Sequence, residues 1–196
     1  MNQLDDQINK AIEILNGGGI VIFPTDTAFG IGCRIDNHEA IDKLFTIRER
    51  PLTQATPVLV SSKDMALEYY IEQTELLNTL IDTYWPGALT IVAPCKKELV
   101  YEPVRGSGDN IGLRMPNNQT ILKIIEGVGV PILGPSANFH GLPTPFAYDE
   151  LDPNLITLVD FIVEGECDPK KIASTVVDIS KGQLNILRQG AVDIHI

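Results

Sequence analysis

The 196-residue chain is poor in cysteine, histidine and arginine. Cys33, Cys95 and Cys167 are scattered and odd in number, which argues against a disulfide framework or a cysteine-based metal site. His38, His140 and His195 are equally dispersed. No apolar run approaches the roughly 20 residues of a membrane span. The opening Met-Asn-Gln-Leu-Asp-Asp lacks the basic and apolar regions of a signal peptide. The expectation is a cytoplasmic protein with no membrane partner. A net charge of −11 argues against a broad nucleic-acid-binding surface, because phosphate contacts need Lys and Arg. A local basic cleft stays compatible with that balance. Familiar catalytic signatures are missing as well: there is no G-x-x-x-x-G-K-[ST], full G-x-G-x-x-G, G-x-S-x-G or H-E-x-x-H. Without an internal repeat, low-complexity tract or evident linker, residues 1–196 read as a single domain.

What the chain does contain centres on Gly19 to Gly32. Ile20, Val21, Ile22 and Phe23 read as a buried strand that Pro24 ends. Thr25, Asp26 and Thr27 then place two hydroxyls and a carboxylate at the strand's carboxyl edge, where open α/β sheets bind ligands. Gly30 and Gly32 allow close backbone approach or positive φ. The plain alternative is a strand followed by a polar turn.

Around that stretch, helices and strands alternate. Leu4, Ile8, Ala11, Ile12 and Leu15 recur at helical spacing up to Gly17. Asn37 can cap a helix carrying Ile41, Leu44, Phe45 and Ile47. Val58 to Val60 is a short strand, and Ser61 with Asp64 has capping-box spacing. Helical patches follow through Tyr70 and from Thr74 to Tyr84, then a strand from Leu89 to Ala93. Lys96 to Asp109, with Pro103, Gly106 and Gly108, reads as a mobile irregular loop. Further strands are expected at Ile111–Met115, Val130–Leu133, Leu158–Val163, Thr175–Ile179 and Leu184–Leu187, with a helix capped by Asn117 among them. The expectation is an α/β fold with a mixed sheet.

The candidate chemistry sits at strand ends. Arg114 lies in the apolar strand Ile-Gly-Leu-Arg-Met, so its guanidinium must be paired or face a cleft. Two readings follow: a salt bridge to a core carboxylate such as Asp178, or a grip on a ligand carboxylate or phosphate. Arg48 and Arg50 would share a face on extended chain, or else be a solvated helix end. Ser136 with His140 suggests a nucleophile and base, but no orienting acid is evident. Ser136 and Asn138 are equally good turn formers beside Pro135.

In order from residue 23 to 190 the chain carries Phe-Pro-Thr-Asp-Thr-Ala-Phe-Gly-Ile-Gly, Arg-x-Arg-Pro, Trp-Pro-Gly-Ala-Leu-Thr, Leu-Arg-Met-Pro, Pro-Ser-Ala-Asn-Phe-His-Gly, Ser-Thr-Val-Val-Asp and Ile-Leu-Arg-Gln-Gly. This resembles the YrdC family of TsaC-type threonylcarbamoyl-AMP synthases. The resemblance implies a YrdC-like twisted mixed sheet flanked by helices, with a large concave cavity. It implies a nucleotidyltransferase that joins L-threonine, bicarbonate and ATP, with Mg2+ carried on the ATP, and releases pyrophosphate. Its adenylate would serve a downstream tRNA threonylcarbamoyl transferase complex. By position, Thr27 and Ser174 would contact threonine, Arg114 would hold its carboxylate, and Thr25 and Phe29 would line the pocket. Arg50, Asn110, Ser136, Asn138 and Arg188 would hold ATP, and Arg48, Arg50, Ser136 and Asn138 would form the catalytic set.

Two features depart from the family pattern. Arg48 stands where the family usually has Lys, and Pro51 to Pro57 is longer than usual, with Ser61 or Ser62 at a polar position beyond it. Two other readings stay in play. One is a carbamoyl-adenylating enzyme with another acceptor, as in hydrogenase maturation. The other is a non-catalytic relative that binds nucleotide, tRNA or double-stranded RNA.

Overall fold

The structure, a computed structural model, describes residues 3–168 and 170–195. The helices are α1 (Gln3–Asn16), α2 (His38–Ile47), α3 (Lys63–Tyr69), α4 (Glu75–Tyr84), α5 (Gln119–Val128) and α6 (Pro153–Ile156). The strands are β1 (Val21–Phe23), β2 (Gly30–Gly32), β3 (Val58–Leu59), β4 (Leu89–Pro94), β5 (Asn110–Arg114), β6 (Ile132–Leu133), β7 (Phe161–Ile162), β8 (Thr175–Asp178) and β9 (Asn185–Arg188). They form a three-stranded sheet, β2-β1-β7, and a six-stranded sheet, β6-β3-β5-β4-β8-β9. Both sheets mix parallel and antiparallel pairs, as the sequence predicts.

The longer helices bury most of the stripe that their periodicity prescribes, although Leu4 at the start of α1 stays exposed. Ile8, Ala11 and Leu15 of α1 and Ile121, Ile124, Ile125 and Val128 of α5 share an apolar cluster with Val21 and Phe23. A larger cluster, including Ile41, Leu44 and Phe45 of α2 and Leu77, Leu80 and Ile81 of α4, packs on the six-stranded sheet. Two caps lie one residue beyond the expected positions. Ser62, not Ser61, accepts from Met65 N (3.1 Å), and Asn118, not Asn117, accepts from Thr120 N and Ile121 N. Either side chain of each pair can cap, so the buried stripe decides the phase. Asn37 caps α2 as expected, accepting from Ala40 N at 3.0 Å.

Three local expectations are corrected. The strands expected at 130–133 and 158–163 contract to β6 and β7, because Pro131 has no N–H and Leu158 N bonds back to Leu155 O. The 96–109 stretch is not a free loop. It folds into two 3-10 turns, Lys97–Leu99 and Glu102–Arg105, with Val100, Pro103 and Val104 buried. Val104 O accepts from Thr56 N (3.1 Å), fastening that segment to the chain beyond Pro51.

β2 is a strand that apolar patterning does not reveal, since two of its three residues are glycine. Its glycines serve close approach, not positive φ. A Cβ on Gly32 would stand 1.9 Å from Leu133 O, and one on Gly30 would strike the Phe23 ring. That closeness joins the two sheets. Leu133 N donates to Cys33 O, Ile31 N to Pro135 O and Ala137 N to Phe29 O, all at 2.8–2.9 Å. The cavity opens along this seam.

Candidate active site

The cavity measures about 200 Å³. Nine of the residues singled out in the sequence line it: Thr25, Thr27, Phe29, Arg48, Arg50, Arg114, Ser136, Ser174 and Arg188. They arrive from the β1–β2 turn, the C-terminal end of α2, the carboxyl end of β5, the segment after β6 and the open end of the antiparallel β8–β9 pair. Four of the chain's six arginines therefore face one cavity, whose lining contains no Asp or Glu. In a chain of net charge −11, this is a concentrated anion-attracting surface.

Thr25 organises the turn that opens the site. Its Oγ1 donates to Ala28 O (2.7 Å) and accepts from Thr27 N and Ala28 N. That turn aims Thr27 Oγ1 at Arg114 Nη1, 2.8 Å away. Arg114 is 6% exposed. Its Nε donates to Gly87 O (3.1 Å), so the Trp-Pro-Gly motif acts through a backbone carbonyl. Its Nη2 pairs with Asp26, not with Asp178. Asp178 instead accepts from Ser180 N, at the other end of β8. Burial pushes the Arg114 guanidinium below its ordinary range, and Asp26 opposes that shift.

Arg48 is no solvated helix end: it is 3% exposed. Its Nε donates to Asn138 O (3.1 Å), and its Nη2 sits 3.5 Å from Asn138 Oδ1. Its Nη1 has no hydrogen-bond partner, and no carboxylate pairs with it among the described residues. Burial, with a smaller push from neighbouring Arg50, brings the guanidinium down to about 10. It is still a cation at neutral pH. Arg50 turns the other way, onto the carbonyls of Gln54 and Ala55. A buried cation such as Arg48, without a counter-charge and beside half-buried Arg50, is suited to an anion that arrives from solution.

Asn138 sits behind the cavity wall. It accepts from Ser136 Oγ and donates to Phe139 O and Leu142 O. All its capacity is used, so it shapes the wall and does not line it. The Ser136 hydroxyl therefore points to Asn138. His140 is exposed and makes no hydrogen bond to Ser136 among the described residues, which removes the nucleophile–base pairing. Asn110 is also absent from the lining: it begins β5, opposite Pro94.

Three contributors lie in stretches that the sequence analysis quoted, outside the residue set it proposed: Asp26 in the Thr-Asp-Thr turn, and Gly87 and Thr90 in the Trp-Pro-Gly-Ala-Leu-Thr motif. Asp26 pairs with Arg114, and the Gly87 carbonyl orients it. Thr90 lines the cavity, with Oγ1 3.1 Å from Ser174 Oγ. The Leu-Thr end of the Trp-Pro-Gly-Ala-Leu-Thr motif was the available signal for Thr90. No local signal marks the partner of Arg114, because the two residues are 88 positions apart.

The fold and cavity define a twisted α/β protein with a cation-lined pocket at the joint of two mixed sheets. The sequence model of the Sua5/YciO/YrdC family, described as "Telomere recombination", matches residues 13–190, and the chain belongs to that family. It is similar to the threonylcarbamoyl-AMP synthase of Bacillus subtilis, at 30% identity over 96% of this chain and 54% of the relative. It is similar to that of Vibrio parahaemolyticus, at 30% identity over 94% of this chain and 100% of the relative. Among solved structures it matches Pyrococcus abyssi Sua5 complexed with L-threonine, with a TM-score of 0.89 and 30% identity over 93% of this chain and 54% of that one. The chain thus spans about half the length of the Bacillus and Pyrococcus relatives. No helix among the described residues is long and apolar enough to cross a membrane.

Proposed function

We propose that the chain forms threonylcarbamoyl-AMP from L-threonine, bicarbonate and ATP, releasing pyrophosphate, and that residues 1–196 act as one domain. The observation that carries this reading is the set of four arginines in a cavity without acidic lining, split between two ends. Arg48 and Arg50 form a cationic end without a carboxylate partner, suited to a triphosphate. Arg114, ordered by Asp26, Thr27 and Gly87, forms an end suited to a single carboxylate.

The division of labour follows from the chemistry. Pyrophosphate departure builds negative charge, which Arg48 and Arg50 stabilise from fixed positions. Arg114 takes the threonine carboxylate by the bidentate geometry of guanidinium, with Thr27 and Ser174 beside it. Fixing the carboxylate leaves the amine free to capture the one-carbon unit with loss of water, and an oxygen of the resulting carbamate then meets the α-phosphorus in line as pyrophosphate leaves. Ser136 faces the nucleotide, Asn138 positions both Ser136 and Arg48, and Arg188, held on Ser174, turns its remaining N–H groups to the nucleotide. Thr25 and Phe29 shape the pocket between the two ends. Mg2+ enters as part of the ATP substrate. The lining offers no carboxylate, so the ion's ligands come from phosphate oxygens and water.

The product is an activated carbamoyl adenylate, consumed by a tRNA threonylcarbamoyl transferase complex in the cytoplasm. The acidic balance supports handing over a small molecule in preference to gripping RNA. The deciding experiment is pyrophosphate release from MgATP with and without L-threonine and bicarbonate. Release that requires both supports the synthase. Release independent of threonine indicates another acceptor, and no release from folded protein indicates a non-catalytic nucleotide binder.

A further inference from the structure

Thr90 and Ser174 are 4% and 6% exposed, and both line the cavity. Their hydroxyl oxygens lie 3.1 Å apart. Arg188 Nη2 donates to Ser174 Oγ at 3.1 Å. Each hydroxyl carries one proton. One of the two protons lies between the oxygens. The other has no acceptor among the described residues, whichever residue holds it. Because both residues line the cavity, this O–H is open to an acceptor on a ligand, and a ligand that covers it without accepting leaves it unpaired.

The strand register says which part of the ligand lies there. β4 and β5 are antiparallel, with Ile91 opposite Leu113. One step further sets Thr90 opposite Arg114, on the same face of the sheet, at a Cβ separation of roughly 5 Å. β8 lies on the other side of β4, with Leu89 beside Thr175, which brings Ser174 to the same end. A guanidinium that takes a carboxylate thus stands beside a free hydroxyl donor. An amino acid held by its carboxylate there can present to that donor an oxygen on the carbon next to its α-carbon.

We propose that Thr90, together with Ser174, reads the side-chain hydroxyl of a β-hydroxy amino acid and makes the site reject analogues that lack it. This rests on the amino-acid substrate proposed above and names a specificity determinant for it. A site built to bond a hydroxyl discriminates strongly against its absence, because the site's own polar groups are then left unpaired. The methyl of threonine by itself supplies only the weaker discrimination of an apolar contact.

The test is calorimetric titration of the full chain with L-threonine and, separately, with L-2-aminobutyrate, which keeps the carbon skeleton and lacks the hydroxyl. Wild-type protein is expected to prefer threonine by about tenfold or more, the equivalent of one hydrogen bond. Thr90→Val should bring that ratio within about threefold, and Thr90→Ser should restore it. ATP affinity, measured alongside, should stay within about twofold in both variants. Ser174→Ala removes the other hydroxyl and should narrow the ratio too, which keeps the test decisive where Thr90→Val does not fold. A wild-type ratio near one, or a ratio unchanged in the folded Thr90→Val protein, overturns the proposal and leaves the synthase reading intact. Wild-type protein that binds ATP but neither amino acid overturns both.

Discussion

Asp26 and Arg114 form an ion pair in the cavity wall, with side chains only 14% and 8% exposed. The carboxylate takes one guanidinium nitrogen, while Thr27 and Gly87 take the other two. A ligand carboxylate therefore meets a guanidinium whose direction is already set. Removing one partner of such a pair strands the other charge, at a cost of about 3–5 kcal/mol. Arg114→Ala is expected to lose that much stability and to weaken L-threonine far more than ATP. The double variant Asp26→Asn, Arg114→Ala should regain part of the stability but none of the threonine binding. Urea denaturation and calorimetry check both. Additive stability losses, or equal losses for both ligands, would show that the pair is only a structural brace.

Arg48 carries the opposite expectation for stability. Its guanidinium is buried with an unmet Nη1 and no carboxylate beside it. Arg48→Met should unfold at higher urea, a gain of about 1 kcal/mol, while kcat/KM for ATP falls at least about tenfold. Arg48→Lys should keep most activity, because the charge is retained. The folded-state value near 10 lies below the ordinary guanidinium range, so the cation is penalised in the fold below pH 10. That penalty fades as pH rises through 10, and the stability advantage of Arg48→Met should shrink with it. A less stable Arg48→Met protein with wild-type ATP kinetics would remove Arg48 from the site.

Asn138 is expected to act through position. It joins Ser136, Arg48, Phe139 and Leu142 in one set of hydrogen bonds. Asn138→Ala leaves several buried partners unmet, and a loss of about 2–4 kcal/mol follows from those groups together. Ser136→Ala removes one bond and should cost about 1 kcal/mol in stability, with a larger effect on turnover. Thermal unfolding beside steady-state kinetics separates the two. Equal stability losses for both variants would contradict the network.

Hydrogen exchange should distinguish two neighbouring segments. Val100 and Val104 are 2% and 1% exposed, so amides around them should be protected before any ligand is added. Residues 51–55 are all exposed, and their Gln54 and Ala55 carbonyls accept from Arg50. If MgATP draws Arg50 away, exchange should change at 51–56 and stay nearly constant at 97–105. Fast exchange throughout 97–105 in the empty protein would argue that the turns seen there open readily.

Most of the helices were legible from apolar spacing, because burial of one stripe is a local property with a period of 3.6. The strands around Val21, Ile91, Leu113 and Val177 were legible for a similar reason. Ser61 against Ser62 and Asn117 against Asn118 were not separable, since neighbouring side chains cap equally well until packing chooses the phase. β2 was invisible to patterning, because its glycines are selected by contact with Leu133 and Phe23 far along the chain.

For the site, the sequence by itself determined which residue types were available: few arginines, a Thr-Asp-Thr turn and a scatter of hydroxyls at strand ends. Burial chemistry alone required Arg114 to find a counter-charge or a ligand. Only the tertiary structure chose Asp26 over Asp178, seated Arg48 against Asn138 some 90 positions away, and paired Thr90 with Ser174. It also removed Asn110 from the wall and separated His140 from Ser136. The physical reason is one of range. Periodicity and caps are settled within a few residues, whereas an ion pair or hydroxyl pair is settled by which strands lie side by side and in what register.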